Sequence, residues 1–303
     1  MANLDNAKHA YLIMAHTDFE VLDKLLLCLD DKRNDIYIHF DQKVAQLPEL
    51  ATHHAGLYIL HTRVDVHWGD VSVVAAEYHL FEAAAAQQQY AYYHLLSGVD
   101  LPLKSQDEIH AFFAVHQGQE FIGFQNGDCR KEIDRKVRRV HLYPTRFRAV
   151  KGISGYYYRA VRALSLRLQE LFGLYRNQDE VFKKGAQWVS LTDAFVRYVL
   201  SQKSAVLKKY QYTFCSDEIF IQTLCWNSVF RLRIYRKTSE SKGSQRMIGW
   251  HKGQLIEWTS ADFDRLMASD LLFARKFSSK HIDLVDRVVD QVCDKQVSNS
   301  ISI

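Results

Sequence analysis

Proline is nearly missing from this chain, with three in 303 residues, and glycine is sparse at 13. Disordered linkers and low-complexity stretches are therefore not expected. No apolar run approaches the roughly 18 residues that a membrane span needs. The segment Met1 to His9 is polar and has no apolar h-region, so no signal peptide is expected there. The five cysteines (Cys28, Cys129, Cys215, Cys225 and Cys293) are scattered, odd in number and form no C-x-x-C pair. That pattern speaks against a zinc site or a disulfide framework and fits a reducing cytoplasm. Also missing are G-x-G-x-x-G, a P-loop, H-E-x-x-H and a serine nucleophile elbow, which weighs against dehydrogenase, kinase and hydrolase chemistry.

Charge of one sign is scarce as well, the net value being only +4, so nucleic acid is not an expected partner. Its distribution is uneven. Nine Lys and Arg fall between Arg130 and Lys151, against only Glu132 and Asp134. Such a run is either a solvated face or a surface turned towards anionic phosphates, on a lipid-linked acceptor or a membrane.

What is present is a large core and an α/β rhythm. Hydrophobic residues make up 48% of the chain and aromatics 13%, enough to fill one sizeable interior. The periodicity predicts strands at Ala10–Met14, Asp35–Phe40, Gly56–Leu60 and Tyr90–Leu96. Helices fall between them, at Asp18–Cys28 and over the alanine-rich Ser72–Gln88. Strand, helix, strand in repetition means βαβ units and a mostly parallel sheet, whose ligands bind beyond the carboxyl ends of the strands. His16, Asp41, Ser97 and Asp100 fall at those ends. The second half is less regular. Helices are predicted over Ile153–Leu174, over Thr192–Leu200 with Thr192 as N-cap, over Ser216–Trp226 capped by Ser216, and over Ser260–Ser269. Gln187–Leu191 reads as a strand, and Ser239–Ser244 as a loop that can move near a site. With no internal repeat and no linker, one domain is expected over residues 1–303.

Two acidic clusters merit chemistry. Asp262-Phe263-Asp264 is the D-x-D pattern with which many glycosyltransferases hold a divalent cation, but both acids fall in a first helical turn, where they stabilise the helix dipole. Asp217 and Glu218 open another helix that otherwise runs apolar. They too stabilise a helix start on the plainer reading; on the functional one Glu218 is a general base at the edge of a cleft.

Seven blocks in order resemble one family. They are AYLIMAH near the start, IYIHFDQK from Ile36, VHWGDVSVVAAEYHLF from Val66, YYHLLSGVDLPLKS from Tyr92, KGAQWVSLTDAFVRYVL from Lys184, CSDEIFIQTL from Cys215 and LFARKF from Leu272. The chain resembles the core-2/I-branching enzymes of glycosyltransferase family 14, which include β-1,6-N-acetylglucosaminyltransferases and protein xylosyltransferases. The resemblance implies a GT-A-like α/β fold with a mostly parallel Rossmann-type sheet. About 1–125 would form the nucleotide-binding half, and about 126–303 the acceptor and diphosphate half. It also implies inverting transfer from a UDP-sugar without a metal, and no other cofactor. Glu218 matches the catalytic base, whose pKa burial would need to raise. Lys276 matches the lysine at the diphosphate and Arg246 its arginine, with Arg275 the alternative. His16 and Asp41 match nucleoside contacts, with Trp68 beside them. Glu108 and Trp188 match acceptor regions, although an aromatic following a strand is as readily core.

The family's animal members are disulfide-rich and anchored in the Golgi membrane. This sequence carries neither feature, so a bacterial, cytoplasmic enzyme is expected, peripheral at the inner membrane face through its basic run. Its expected acceptor is a glycan of surface polysaccharide synthesis, free or lipid-linked. UDP-GlcNAc is the favoured donor and UDP-xylose the competitor. Two other readings stay open here: a metal-dependent transferase using Asp262 and Asp264, and a non-catalytic glycan- or phosphate-binding protein using the basic run.

Overall fold

The computed structural model describes residues 8–300; most of the polar segment Met1 to His9 lies outside the described residues. Strand β1 (His9–Ala15) is apolar along its length and buried almost throughout. It runs parallel to β2 (Asn34–Phe40) on one side and to β4 (Tyr92–Ser97) on the other, with Ile13 opposite both Ile38 and Leu96. Strand β3 (Gly56–Ile59) adds a parallel edge beside β2. Helix α1 (Phe19–Leu29) connects β1 to β2, and α2 (Ser72–Gln87) connects β3 to β4. Both-sided burial explains why β1, β2 and β4 read as unbroken apolar runs rather than as alternations.

The strand order β3-β2-β1-β4 closes with β6 (Ser190–Thr192), antiparallel to β4. Between β4 and β6 the chain makes β5 (Leu101–Pro102), α3 (Gln106–Val115), α4 (Arg130–Val137), α5 (Arg146–Ala149) and α6 (Gly152–Leu171). Then come α7 (Asp193–Ser201), α8 (Lys203–Tyr210), α9 (Phe220–Trp226), α10 (Glu240–Ser244), strands β7 (Arg246–Ile248), β8 (Trp250–His251) and β9 (Gln254–Leu255), α11 (Phe263–Met267), β10 (Phe273–Arg275) and α12 (Ile282–Ser300). Strand β10 lies between β5 and β7 in a small second sheet.

The main sheet separates two cores. Odd-numbered side chains of β1, such as Tyr11 and Ile13, meet Leu22, Leu25 and Leu26 of α1 and Val285, Val288 and Val292 of α12. Even-numbered ones, such as Leu12, meet Val74, Tyr78 and Phe81 of α2 and Phe195 and Val199 of α7. Period-two alternation along the strand thus sends neighbours to opposite layers.

Four expectations need correction. Helix α3 is absent from the sequence reading, although its capping box is plain in the structure: Ser105 Oγ accepts from the Glu108 amide while Glu108 accepts from the Ser105 amide. The expected strand Gln187–Leu191 starts later, at Ser190, because the segment before it follows the cleft wall. The stretch Ser216–Trp226 is not one helix capped by Ser216. Cys215 takes left-handed backbone (φ 50), Ser216–Glu218 makes a 3₁₀ turn, and Ile219 (φ −130) interrupts the path before α9 begins at Phe220. Finally, Ser239–Ser244 is no loop: Ser239 Oγ accepts from the Lys242 amide and caps the short helix α10. Thr192 does cap α7, accepting from the Phe195 amide.

Candidate functional site

A cavity of about 1310 Å³ opens at the carboxyl ends of β1, β2 and β4. The strand order places it where α1 and α2 leave the sheet on opposite faces, the usual ligand position in a doubly wound sheet. His16, Asp41, Trp68, Trp188, Glu218, Arg246 and Lys276 all line it. Glu108 is not among the lining residues; its carboxylate is engaged in the α3 cap. Asp262 and Asp264 do not line it either. Asp262 accepts from the amide and hydroxyl of Thr259, in a capping box that opens the turn before α11.

One end of the cleft is basic. His16 follows β1, and desolvation lowers its imidazole below the ordinary value; Asp41 opposes this, while Lys276, Lys43 and Arg275 add to it. Three cations from two separate segments therefore act on one ring. Asp41 ends β2 and is itself occupied: its Oδ1 accepts from the Lys43 amide and its Oδ2 pairs with Lys43 Nζ at 2.9 Å. Lys276 pairs with Glu257 at 3.2 Å.

Arg246 and Arg275 differ in how they stand. Arg246 is buried, donating to the carbonyls of Ser244 and Val189 and to Ser190 Oγ. Burial pushes its guanidinium down to about 10 despite Asp100 and Tyr11 nearby. It is anchored within the cleft wall. Arg275 lies with its guanidinium 4.3 Å from the Trp188 ring centroid and its Nε 3.5 Å from Asp100. Trp188 is itself buried. One face of the ring expected to stack on a sugar is thus covered by an arginine.

The acidic wall is built by the 3₁₀ turn. Glu218 Oε2 lies 2.8 Å from Lys136 Nζ and 3.4 Å from Lys184 Nζ, and both lysines also reach Glu132 Oε1. Burial disfavours the Lys136 ammonium, but Glu218 and Glu132 outweigh it and raise its pKa. Backbone fixes the turn from both sides, with Gly185 N donating to Glu218 O at 2.9 Å and Cys215 N to Gly69 O at 2.8 Å. Gly69 has φ +78 and Phe214 packed where a side chain would begin. That loop carries Trp68, which is 58% exposed and sets its ring edge on Phe214.

Beside Glu218 lies a pair of carboxyls, Asp217 and Glu77, of which sequence reasoning noted Asp217 only as a helix opener and Glu77 not at all. Asp217 lines the cleft, and burial, followed by the Glu218 charge, pushes it up to about 7. Glu77 of α2 is fully buried, holds one oxygen on Gln187 at 2.7 Å, and is raised well above the carboxylate range by burial and then by Asp217. Glu77 Oε2 and Asp217 Oδ1 are both buried without a hydrogen-bond partner. Two such groups cannot both ionise cheaply. Lys136, Lys184 and Glu77 were equally missed. Lys136 lay inside a run read as one face, and Lys184 and Glu77 lay in blocks quoted for other residues. Among the described residues no three His, Cys, Asp or Glu gather as a cation site.

The nine-cation run also divides. Lys136 turns into the cleft, and Arg138 donates to the carbonyls of Asn177 and Glu180. Arg139 is buried, reaching Glu170 and the Tyr175 ring. Arg130, Lys131, Arg135, Arg146 and Lys151 remain exposed. The run is not one solvated face.

Residues 9–270 match the family model described as Core-2/I-Branching enzyme. No curated protein matches. Among solved structures, S. aureus TarS (residues 1–349) matches at 12% identity and a TM-score of 0.26, over 66% of this chain and 65% of that one, just under two thirds of its length.

Proposed function

Because the chain belongs to the Core-2/I-Branching enzyme family and is therefore a glycosyltransferase, we propose that this cleft moves a sugar, GlcNAc in our reading, from UDP to a glycan acceptor. The transfer is a single inverting displacement without a metal. The acceptor hydroxyl oxygen attacks the anomeric carbon, the bond from that carbon to the β-phosphate oxygen breaks, and UDP leaves with the electron pair. Glu218 takes the acceptor proton. Both lysines engage its Oε2, which leaves Oε1 as the oxygen that receives it. Lys136 and Lys184 hold the carboxylate in position.

The observation that carries this reading is the division of one cavity. Its wall at the 3₁₀ turn presents Glu218, and the strand ends present His16, Asp41, Lys43, Arg275 and Lys276. A departing diphosphate develops negative charge, and fixed cations can offset it in place of a divalent ion. Lys276 and Arg275 are assigned to that charge. Arg246, buried on Ser190 and the Val189 carbonyl, supports the field from within the wall. His16, Asp41 and Trp68 border the nucleoside, and Trp188 shapes the acceptor side chiefly by holding Arg275. Glu108 is left without a direct role in this proposal. The acceptor is assigned to surface polysaccharide synthesis.

Calorimetric titration with UDP, set beside turnover, tests the division. Glu218→Gln is expected to lose roughly 10²–10⁴-fold in kcat while its affinity for UDP is unchanged. Equal turnover by the variant would remove Glu218 from the role.

A further inference from the structure

Helix α6 does not bury its apolar residues. Of its twenty positions, Gly155 and Leu166 alone are buried, and they mark the face that rests on the protein. On the opposite face Ile153, Tyr157, Leu164, Leu168 and Leu171 follow one another at spacings of four, seven, four and three, which is a single stripe of an α-helix. These are not grazing exposures: Ile153 is 91% accessible, Leu164 60% and Leu171 76%, and Phe172 just beyond the helix is 68%. At 1.5 Å per residue the stripe extends for about 30 Å. An apolar stripe of that length on a soluble surface marks a contact.

Charge decides what the contact is with. Between residues 146 and 176 there are seven Lys and Arg and one acid, Glu170. Glu170 is already paired with Arg139. Arg167 flanks the stripe in an exposed position, Arg159 is exposed on the Tyr156 ring at 4.6 Å nearer the Gly155 side, and Arg146 and Lys151 extend the cations to the start of the stripe. A second copy of the chain would bring a like set of cations against these, at a cost. A surface both apolar and anionic satisfies stripe and rim together. No described helix is long and apolar enough to cross a membrane.

We propose that α6 lies flat in the interface of an anionic bilayer, its Ile153–Leu171 stripe among the acyl chains and its arginines at the lipid phosphates. The segment leading into α6 adjoins the cleft. Pro144, Thr145 and Ala149, from the segment leading into α6, line the cavity. Arg162 projects inward from α6 onto the rings of Phe147 and Phe214, the latter being the ring that supports Trp68. A bilayer held at α6 thus lies next to the segment that lines the cleft, within reach of which a lipid-borne acceptor would present its sugar. The docking itself does not depend on the role of Glu218.

The test is co-sedimentation of the whole chain with phosphatidylcholine vesicles, with and without phosphatidylglycerol. The wild type is expected to pellet with the anionic vesicles alone, and less so as salt rises. Two variants separate the components: Leu164→Gln with Leu168→Gln and Leu171→Gln for the stripe, and Arg159→Gln with Arg167→Gln for the rim. Each should lose binding by about tenfold or more, while circular dichroism and the urea midpoint stay at wild-type values because all five positions are exposed. Wild-type protein that stays in the supernatant would overturn the proposal, as would a stripe variant that still pellets fully. A dimer in analytical ultracentrifugation that the stripe variant dissolves would overturn it too, by assigning the stripe to a second copy.

Discussion

Asp217 is a carboxyl whose environment opposes its charge. Its folded pKa is pushed up to about 7 by burial and by Glu218, whereas an unfolded aspartate titrates near 3.9. Between those values the folded chain holds a proton that the unfolded chain has released. The contribution to stability is therefore fully present below about pH 4 and is lost as pH rises through the folded value of about 7. Asp217→Asn should remove this loss, so the variant gains stability over wild type at pH 8 and gains nothing at pH 4. Urea unfolding at both pH values reads it, and equal differences at the two would refute the assignment. Lys276 poses the complementary question. Its truncation to Ala should lower kcat by about tenfold or more, the size of one charge-assisted hydrogen bond to the departing diphosphate, with the donor KM changed less. Asp264→Asn should leave both constants at wild-type values, because that side chain does not line the cleft. A kcat loss in Asp264→Asn would return the metal-dependent reading. Much of this was legible from residue order. His16 and Asp41 follow strands, and Glu218 and Lys276 stand in recognisable blocks. The Lys136 and Lys184 pairing was not, because it joins residues 82 and 34 positions from Glu218, and no local pattern encodes such a meeting.

At the scale of elements, the turn that presents Glu218 is held by neighbours rather than by its own helix. Gly185 supplies one hold, and its position leaves no room: a Cβ there would stand 1.8 Å from the carbonyl oxygen of Gly123. The obstacle is backbone and cannot swing aside. Gly185→Ala should cost roughly 2–3 kcal/mol, seen as a lower urea midpoint with an unchanged m-value. It should also lower kcat, since Gly185 N holds Glu218 O; an unaffected midpoint would show that the two segments can separate cheaply. The helices with clear apolar stripes, α1 and α7, were read correctly, as was the Thr192 cap. The Ser216–Trp226 stretch was not, since acids before an apolar run look alike whether they open an α-helix or a 3₁₀ turn. The left-handed Cys215 that separates the two has no signature in its residue type. Helix α3 did carry a signal, Ser105 followed three residues later by Glu108, but Ser105 closed a block quoted for its resemblance and Glu108 was taken for an acceptor contact.

For the whole molecule, four parallel strands bring His16, Asp41, Ser97 and Asp100 to one edge, and the α/β arrangement places the cleft there. The first third of the chain announced this through its strand and helix alternation. The later segments contribute through long-range returns: β6 pairs back onto β4, and β10 inserts between β5 and β7, bringing Arg275 and Lys276 to the cleft. Strands of three residues give too little periodicity to be read well: β6 was expected three residues early, at Gln187–Leu191, and β10 was legible only through the LFARKF block. The apolar stripe of α6 was not foreseen in the sequence, where attention fell on the basic run before it. Arg138 and Arg139 turn inward, and the exposed apolar stripe follows the basic run rather than coinciding with it.

The most direct test of the account is turnover of a panel of UDP-sugars in EDTA, with Glu218→Gln beside the wild type and a candidate glycan acceptor present. The account predicts that one donor, UDP-GlcNAc in our reading, is consumed without metal by the wild type and not by the variant; consumption of UDP-xylose instead would keep the mechanism and change the sugar. Turnover that appears only when Mn²⁺ or Mg²⁺ is restored, or that survives in Glu218→Gln, would contradict it.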